Sequence, residues 1–352
     1  MNTWHYYREC DTVFVFVHGI LSDGLSAWGN YDLSFSKKNN PYWPEIVKLD
    51  RAFDNPSIFV AGYYTEILSS EFSIDNATQQ LYDGLTKSSD HIDVSVIDKT
   101  RIIFVAHSLG GIITRNMIVK YSDVFKEKKI GLLLVASPSL GSKDANYIDL
   151  VSGFLGNKMI KQLRRDSDFL DRLDKEFRNY IKDEQEKSIV GAEAIENHPY
   201  PSFLRYFGKE KTVPIICSGR YFVCPSEFDN PHTVANTNHS TIAKPNDENH
   251  PSHRYLRNFY TNVFIRQFGA EESQIVPEED IDIDAITRDL KKLQENETMI
   301  KLFFLTMGIN TEDYEISELL TKASLAISEL KIGTPIKNRI IDMIDDKDAA
   351  DD

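Results

Sequence analysis

The chain has no apolar run approaching the ~18 residues of a membrane span. Its first residues, Met1-Asn2-Thr3-Trp4-His5-Tyr6-Tyr7-Arg8, hold no hydrophobic segment of the secretory kind. Cysteine is scarce: Cys10, Cys217 and Cys224 make an odd count without metal-ligand spacing. That pattern argues against a disulfide framework or thiolate metal site, and for reduced thiols in a cytoplasmic setting, with a Cys217–Cys224 bridge as the alternative. Basic residues are also short. The 40 Lys+Arg against 54 Asp+Glu leave a net charge of −14, which excludes nucleic acid as a partner because phosphate binding needs a basic face. What remains is an ordinary globular composition, 41% hydrophobic over 352 residues, enough for one large domain and a small one.

The charge is unevenly placed. From Glu271 onward there are 21 acidic and nine basic residues, so this stretch carries −12 and the first 270 residues only −2. The division predicts a main domain over 1–270, an acidic linker over 271–282 containing Pro277, and a helical bundle over 283–352 ending in an acidic tail. Leu290, Leu293, Ile300, Phe303, Phe304, Leu319, Leu320 and Ile327 follow helical spacing in that last part, with Gly308 and Gly333 as helix stops. No cluster there suggests chemistry.

Within 1–270, strand signals alternate with helix signals. Val13 to Val17 is an uninterrupted apolar run, as expected for a parallel strand buried on both faces. Further strands are predicted at 57–63, 102–105, 130–136, 213–217 and 233–236, with helices at 74–85, directly after residue 108, and at 254–268. Such alternation predicts an α/β fold around a mostly parallel sheet. A helical insertion over 144–181, with Phe154, Met159, Leu163, Phe169, Leu173 and Phe177 at near-helical spacing, separates the fourth and fifth strands. It reads either as a cap over a pocket or as plain core.

The most informative stretch is Phe104-Val105-Ala106-His107-Ser108-Leu109-Gly110-Gly111. An apolar strand runs into a turn of small residues and then into a helix carrying Ile112, Ile113, Met117 and Ile118. A serine on so sharp a turn lifts its hydroxyl clear of the sheet. The spacing matches the nucleophile elbow G-x-S-x-G with Ala106 at the first glycine. The plain alternative is a strand–glycine–helix turn with an incidental serine.

A serine hydroxyl needs a base to take its proton and a third group to orient that base, in the chain order Ser, acid, His. His239, in Asn238-His239-Ser240 after the last short strand, is the expected base; His232, His250 and His253 are rivals expected at the surface. His107 is expected to be structural or pocket-lining. The acid should follow the fifth strand, which points to Glu227 or Asp229, with Glu227 slightly ahead and Asp144 a remote alternative. A tetrahedral intermediate needs two preorganised N–H donors. The amide of Leu109 and that of Ile20, in His18-Gly19-Ile20-Leu21 after the first strand, are the expected pair. No cofactor or metal site is expected.

These motifs, with Trp28, Tyr42-Trp43-Pro44, Ala136-Ser137-Pro138-Ser139-Leu140-Gly141-Ser142 and Lys244-Pro245, closely resemble the α/β-hydrolase superfamily, and within it lipase-like serine esterases related to GPI-inositol deacylases. The resemblance spans about 13–245. It implies that Ser108 is the nucleophile, His239 the base, and Ile20 and Leu109 the oxyanion donors. It leaves the acid open, because the 225–229 loop matches no pattern of the family. The implied activity is hydrolysis of carboxylic esters of lipid type, with an acyl ester or lipid as substrate. A thioesterase or amidase with the same triad is one alternative. A binding or signalling protein on a hydrolase scaffold, or an autoinhibited effector, are others. The 283–352 bundle resembles the small effector-associated or death-like adaptor domains of bacterial conflict systems that serve antiviral defense. That resemblance implies a protein partner or self-association through the C-terminal helices.

Overall fold

A computed structural model of the protein describes residues 2–19, 26–29, 41–63, 73–88, 93–139, 157–164, 167–184, 187–198, 200–201, 212–213 and 218–270. By its contacts the chain divides into two units, Met1–Glu271 and Glu272–Asp352. The 271–282 linker, the 283–352 bundle, the start of the insertion with Asp144 and Phe154, and Ile20 and Cys217 lie outside the described residues.

Seven strands form one sheet. They are β1 (Thr3–Tyr6), β2 (Thr12–Val17), β3 (Ser57–Ala61), β4 (Arg101–His107), β5 (Lys129–Val135), β6 (Ile189–Glu196) and β9 (His232–Val234), in the spatial order β1-β3-β2-β4-β5-β6-β9. All neighbours run parallel except β1, which pairs antiparallel with β3 at one edge. The strand centres are continuous apolar runs because both faces are covered. Period-two alternation sorts them. Val13, Val15, Ile102, Phe104, Leu132 and Leu134 face one core, which also takes in Leu81 and Leu85 of helix α2 (Ile74–Thr86) and Ile112 and Ile113 of helix α3 (Leu109–Lys120). Phe14, Phe16, Ile103, Val105, Leu133 and Val135 face the other. There Trp28 packs with Trp43 of helix α1 (Trp43–Leu49), and Leu256 and Phe259 of helix α7 (Pro251–Phe259) complete the layer. Each such side chain contributes about 1.5–3 kcal/mol on full burial, so these two layers dominate the stability.

The short helix α4 (Ser122–Phe125) leads from α3 toward β5. The described part of the insertion forms helices α5 (Asn157–Leu163) and α6 (Asp168–Glu184). Phe169, Leu170, Leu173, Phe177 and Ile181 of α6 are buried in the first core, and α6 packs on α3. For these residues the apolar stripe is core. Helix α7 continues through a wide π turn at Tyr260–Ile265 into α8 (Arg266–Phe268), so the expected 254–268 helix begins three residues earlier. Among the described residues, no helix is long and apolar enough to cross a membrane.

The fifth strand differs from its expected place. Thr212–Val213 (β8) pairs only with Tyr200–Pro201 (β7) in a separate two-stranded ribbon, and 214–217 lies outside the described residues. The fifth central strand is instead β6, Ile189-Val190-Gly191-Ala192-Glu193-Ala194-Ile195-Glu196. Two glutamates and a glycine break up its apolar pattern. Both glutamates are buried, and Glu193 is satisfied by the Ser218 hydroxyl and the amides of Gly219 and Tyr221. Strand β1 also escapes a sequence reading, because as a half-exposed edge it carries no apolar run. The alternative Cys217–Cys224 bridge involves Cys217, which lies outside the described residues. Cys10 and Cys224 are free, and burial, with the field of Glu193, pushes the Cys224 thiol up to about 12.

Parallel strands in this order, with helices on both faces and a sharp turn at the end of β4, are those of an α/β-hydrolase. The carboxyl ends of β2, β4, β5 and β6 lie side by side along one rim.

Candidate active site

Ser108 stands between β4 and α3 with φ 55° and ψ −126°. A non-glycine residue in this region carries strain of about 1–3 kcal/mol, which the surroundings must hold in place. The Ser108 amide donates to the Val135 carbonyl at 2.9 Å, continuing the β4–β5 ladder, and its own carbonyl accepts from the Gly111 amide at 3.0 Å. Close packing explains the small residues. A Cβ on Gly110 would lie 2.5 Å from the carbonyl oxygens of both Val17 and His18. One on Gly19 would lie 2.7 Å from the Ser108 Cβ. The end of β2 is thus pressed against the elbow. Ala106, opposite Val17 and Leu134 in the ladders, keeps its methyl group within the sheet core, so a glycine is not required there.

Gly110→Ala is expected to destabilise the protein. The new methyl meets two backbone carbonyls that no side-chain rotation relieves. Overpacking costs typically 1–3 kcal/mol, which exceeds the ~1 kcal/mol that Ala gains over Gly in a helix. The urea midpoint should fall at constant m. An unchanged midpoint would show that the end of β2 is not held against the elbow.

His239 meets Ser108 from the loop after β9. Its Nε2 lies 2.9 Å from Ser108 Oγ and its Nδ1 lies 3.3 Å from Glu196 Oε1. Glu196 sits at the carboxyl end of β6 with 1% of its surface exposed. An ionised carboxylate only accepts, so Nδ1 carries the proton and Nε2 is left to accept from the serine hydroxyl. The two backbones that carry Glu196 and His239 are tied together. The amides of Asn197 and His198 donate to the Thr237 carbonyl, and the Thr237 amide donates to Asn197 Oδ1. On the other side of His239, Asn238 Oδ1 accepts from the amides of Ser240 and Thr241 and starts the single turn Thr241–Ala243.

Two more histidines line this rim. His18 Nδ1–H donates to the Gly19 carbonyl at 2.7 Å, and the ring stacks on Tyr63, whose hydroxyl donates to the His18 carbonyl. His107 lies beside Ser108 with its Nε2 2.8 Å from the His239 carbonyl oxygen. Burial pushes its ring down to about 3, and the fields of His239, Lys244 and His18 act in the same direction, so His107 is neutral near pH 7. Leu109 opens α3, so its amide has no acceptor within the helix. Ile20, the other expected oxyanion donor, lies outside the described residues.

The expected acids sit elsewhere. Glu227 is exposed and pairs with Arg266. Asp229 is exposed and bonds His232 Nδ1 at 2.7 Å. The carboxylate on His239 is Glu196, which the sequence reading missed because β6 was not recognised as a strand. Had it been, a glutamate at its carboxyl end would have been the natural candidate. The rival histidines are also engaged. His232 stacks on Tyr255, and His250 Nδ1 accepts from the Ser252 amide. His253, expected at the surface, is fully buried between the Trp43 indole N–H and Asp50. Among the described residues, no three His, Cys, Asp or Glu side chains converge as a metal site.

Residues 8–191, which include the elbow, match the family DUF676, whose description reads "Putative serine esterase". The chain belongs to this family. The DUF676 match ends inside β6, short of both Glu196 and His239. Protein SERAC1 of Danio rerio is 25% identical over 207 residues, covering 53% of this chain and 31% of that protein, so the chain spans about a third of that relative's length. Among solved structures, phospholipase PlaB from Legionella pneumophila is similar with a TM-score of 0.42 at 16% identity, over 56% of this chain and 41% of that one. The propeptide form of the Bacillus licheniformis lipase BlEst2 has a TM-score of 0.43 at 16% identity, over 73% and 53%.

Proposed function

We propose that the protein hydrolyses carboxylic esters of lipid type through Ser108, His239 and Glu196. The observation that carries the reading is the unbroken chain Glu196–His239–Ser108 on a strained elbow. As Ser108 Oγ attacks the acyl carbonyl, its proton passes to His239 Nε2. The developing oxyanion is held by the Leu109 amide and by an amide of the loop after β2, for which Ile20 is the proposed donor. His239 then protonates the leaving alcohol, and the acyl group stays on Ser108. Water enters, gives its proton to His239 and attacks the acyl carbonyl; the acid leaves and Ser108 regains its proton. Glu196 stays ionised throughout, fixing the tautomer and stabilising the imidazolium. The lipid preference rests on the lipase-like motifs around Ser108 and His239. The 283–352 region keeps its reading as a helical module for a protein partner or self-association. The free thiols of Cys10 and Cys224 suit a cytoplasmic setting.

A fluorophosphonate probe combined with a substrate panel tests this. The wild type should label and His239→Ala should not. Ester turnover should exceed that of matched thioesters and anilides. Probe uptake with a higher kcat/KM on the thioesters or anilides would move the protein to the thioesterase or amidase reading.

A further inference from the structure

We infer that His107 is the positioning residue of this site, setting the height of the His239 ring above Ser108 through a hydrogen bond from its Nε2–H to the His239 carbonyl. The inference rests on the proposed roles of Ser108 and His239. It starts from a buried group that the mechanism leaves unused. His107 is the last residue of β4, and its position is fixed by the ladder to Val135 and by the edge of Trp28, 6.2 Å from its ring. A carbonyl only accepts, so the 2.8 Å contact requires the proton on Nε2. His107 and Ser108 are consecutive, so one end of one strand sets both the nucleophile and the anchor for its base. The loop bearing His239 is otherwise tied on the side of Asn197 and Asn238, away from the elbow. The His107 bond ties the backbone of that loop to the elbow, beside the contact of the His239 ring with Ser108 Oγ. The two rings lie 5.1 Å apart.

Charge matters as well as geometry. The His239 ring becomes cationic while the tetrahedral intermediate forms. A second cation 5 Å away would oppose that step, and burial, the largest cause, holds His107 neutral, outweighing the upward pull of its hydrogen bond to the His239 carbonyl. It can therefore serve as a donor without becoming a competing charge.

Two substitutions separate this role from packing. Gln places an amide N–H near where His107 holds Nε2–H, whereas Leu fills the apolar surroundings and offers no donor. Packing alone ranks Leu at or above Gln; positioning ranks Gln above Leu. His107→Leu is expected to lose kcat on the order of 100-fold with KM little changed, since a misplacement of about 1 Å at a reacting group costs that much. His107→Gln is expected to recover most of the loss. Equal activity of the two variants, or Leu above Gln, would overturn the proposal. Ser108→Ala in the same assay keeps the failures apart: if it retains turnover, the proposed nucleophile is wrong; if it is inactive while His107→Leu matches the wild type, only the His107 role falls. Should neither variant fold, ¹⁵N–¹H spectra of the full wild-type chain decide. The assigned His107 ring should remain the neutral Nε2–H tautomer from about pH 5 to 9, well above its depressed titration. An Nδ1–H tautomer, or titration within that range, would overturn the proposal.

Discussion

Ser108→Ala should lower kcat on the order of 10⁶-fold, the loss seen when a serine nucleophile is removed from a comparable triad, and abolish fluorophosphonate labelling. The fold should survive. Alanine keeps the Cβ, so the backbone strain at φ 55° is the same in both proteins, and the Ser108 amide still donates to Val135. The lost hydroxyl is the one that meets His239 Nε2 at 2.9 Å. A residual rate above solution would remain from the oxyanion donors and substrate binding. Ser108→Gly gives an independent reading of the strain. It should be more stable than Ser108→Ala by about 1 kcal/mol, because glycine adopts positive φ without the Cβ penalty. The pair is checked by turnover and urea unfolding on matched samples. Turnover of Ser108→Ala within tenfold of the wild type would remove Ser108 from the chemistry.

The elbow was legible in the sequence because it is a local device. Ala106, Ser108, Gly110 and Gly111 lie within six residues; Gly110 is demanded by the end of β2 at Val17-His18, which carries its own local signature, and Gly111 by Ser137 after β5. His239 was legible by its place after the last strand. The proposed acid, Glu196, was not, for a physical reason. Its strand, β6, spends two of its eight positions on buried carboxylates. Glu193 anchors the 218–221 segment and Glu196 holds His239, so the run reads as half-polar although all but Ile195 are buried. With β6 unread, the fifth strand was sought farther along the chain, and the acid with it, among exposed residues of the 225–229 loop. The role of His107 was hidden for a different reason. Its partner is a backbone carbonyl 132 residues away, which leaves no mark on residue type or spacing.

Glu196→Gln should cost on the order of 10⁴-fold in kcat while leaving the protein folded, since the amide analogue of a triad acid keeps its geometry and loses its charge. The mechanism is one of tautomers. Glutamine can present its NH₂ group to His239 Nδ1, which then becomes the acceptor and moves the ring proton to Nε2. A ring with Nε2–H donates toward Ser108 Oγ and cannot take the serine proton. Even in the correct tautomer, the imidazolium formed during attack would lose the buried negative charge that stabilises it. Glutamine is nearly isosteric and neutral, so a site only 1% exposed accepts it without burying a new charge. The comparison that gives the result its meaning is with Glu227→Gln and Asp229→Asn, whose carboxylates engage Arg266 and His232 at the surface. Both should retain near-wild-type kcat, because exposed pairs of this kind hold little of the fold and, here, none of the hydrogen-bonded chain to Ser108. Circular dichroism on each variant separates loss of chemistry from loss of structure. If Glu196→Gln kept its activity while either loop variant lost it, the acid would belong to the 225–229 loop, and the Glu196–His239 contact would be structural.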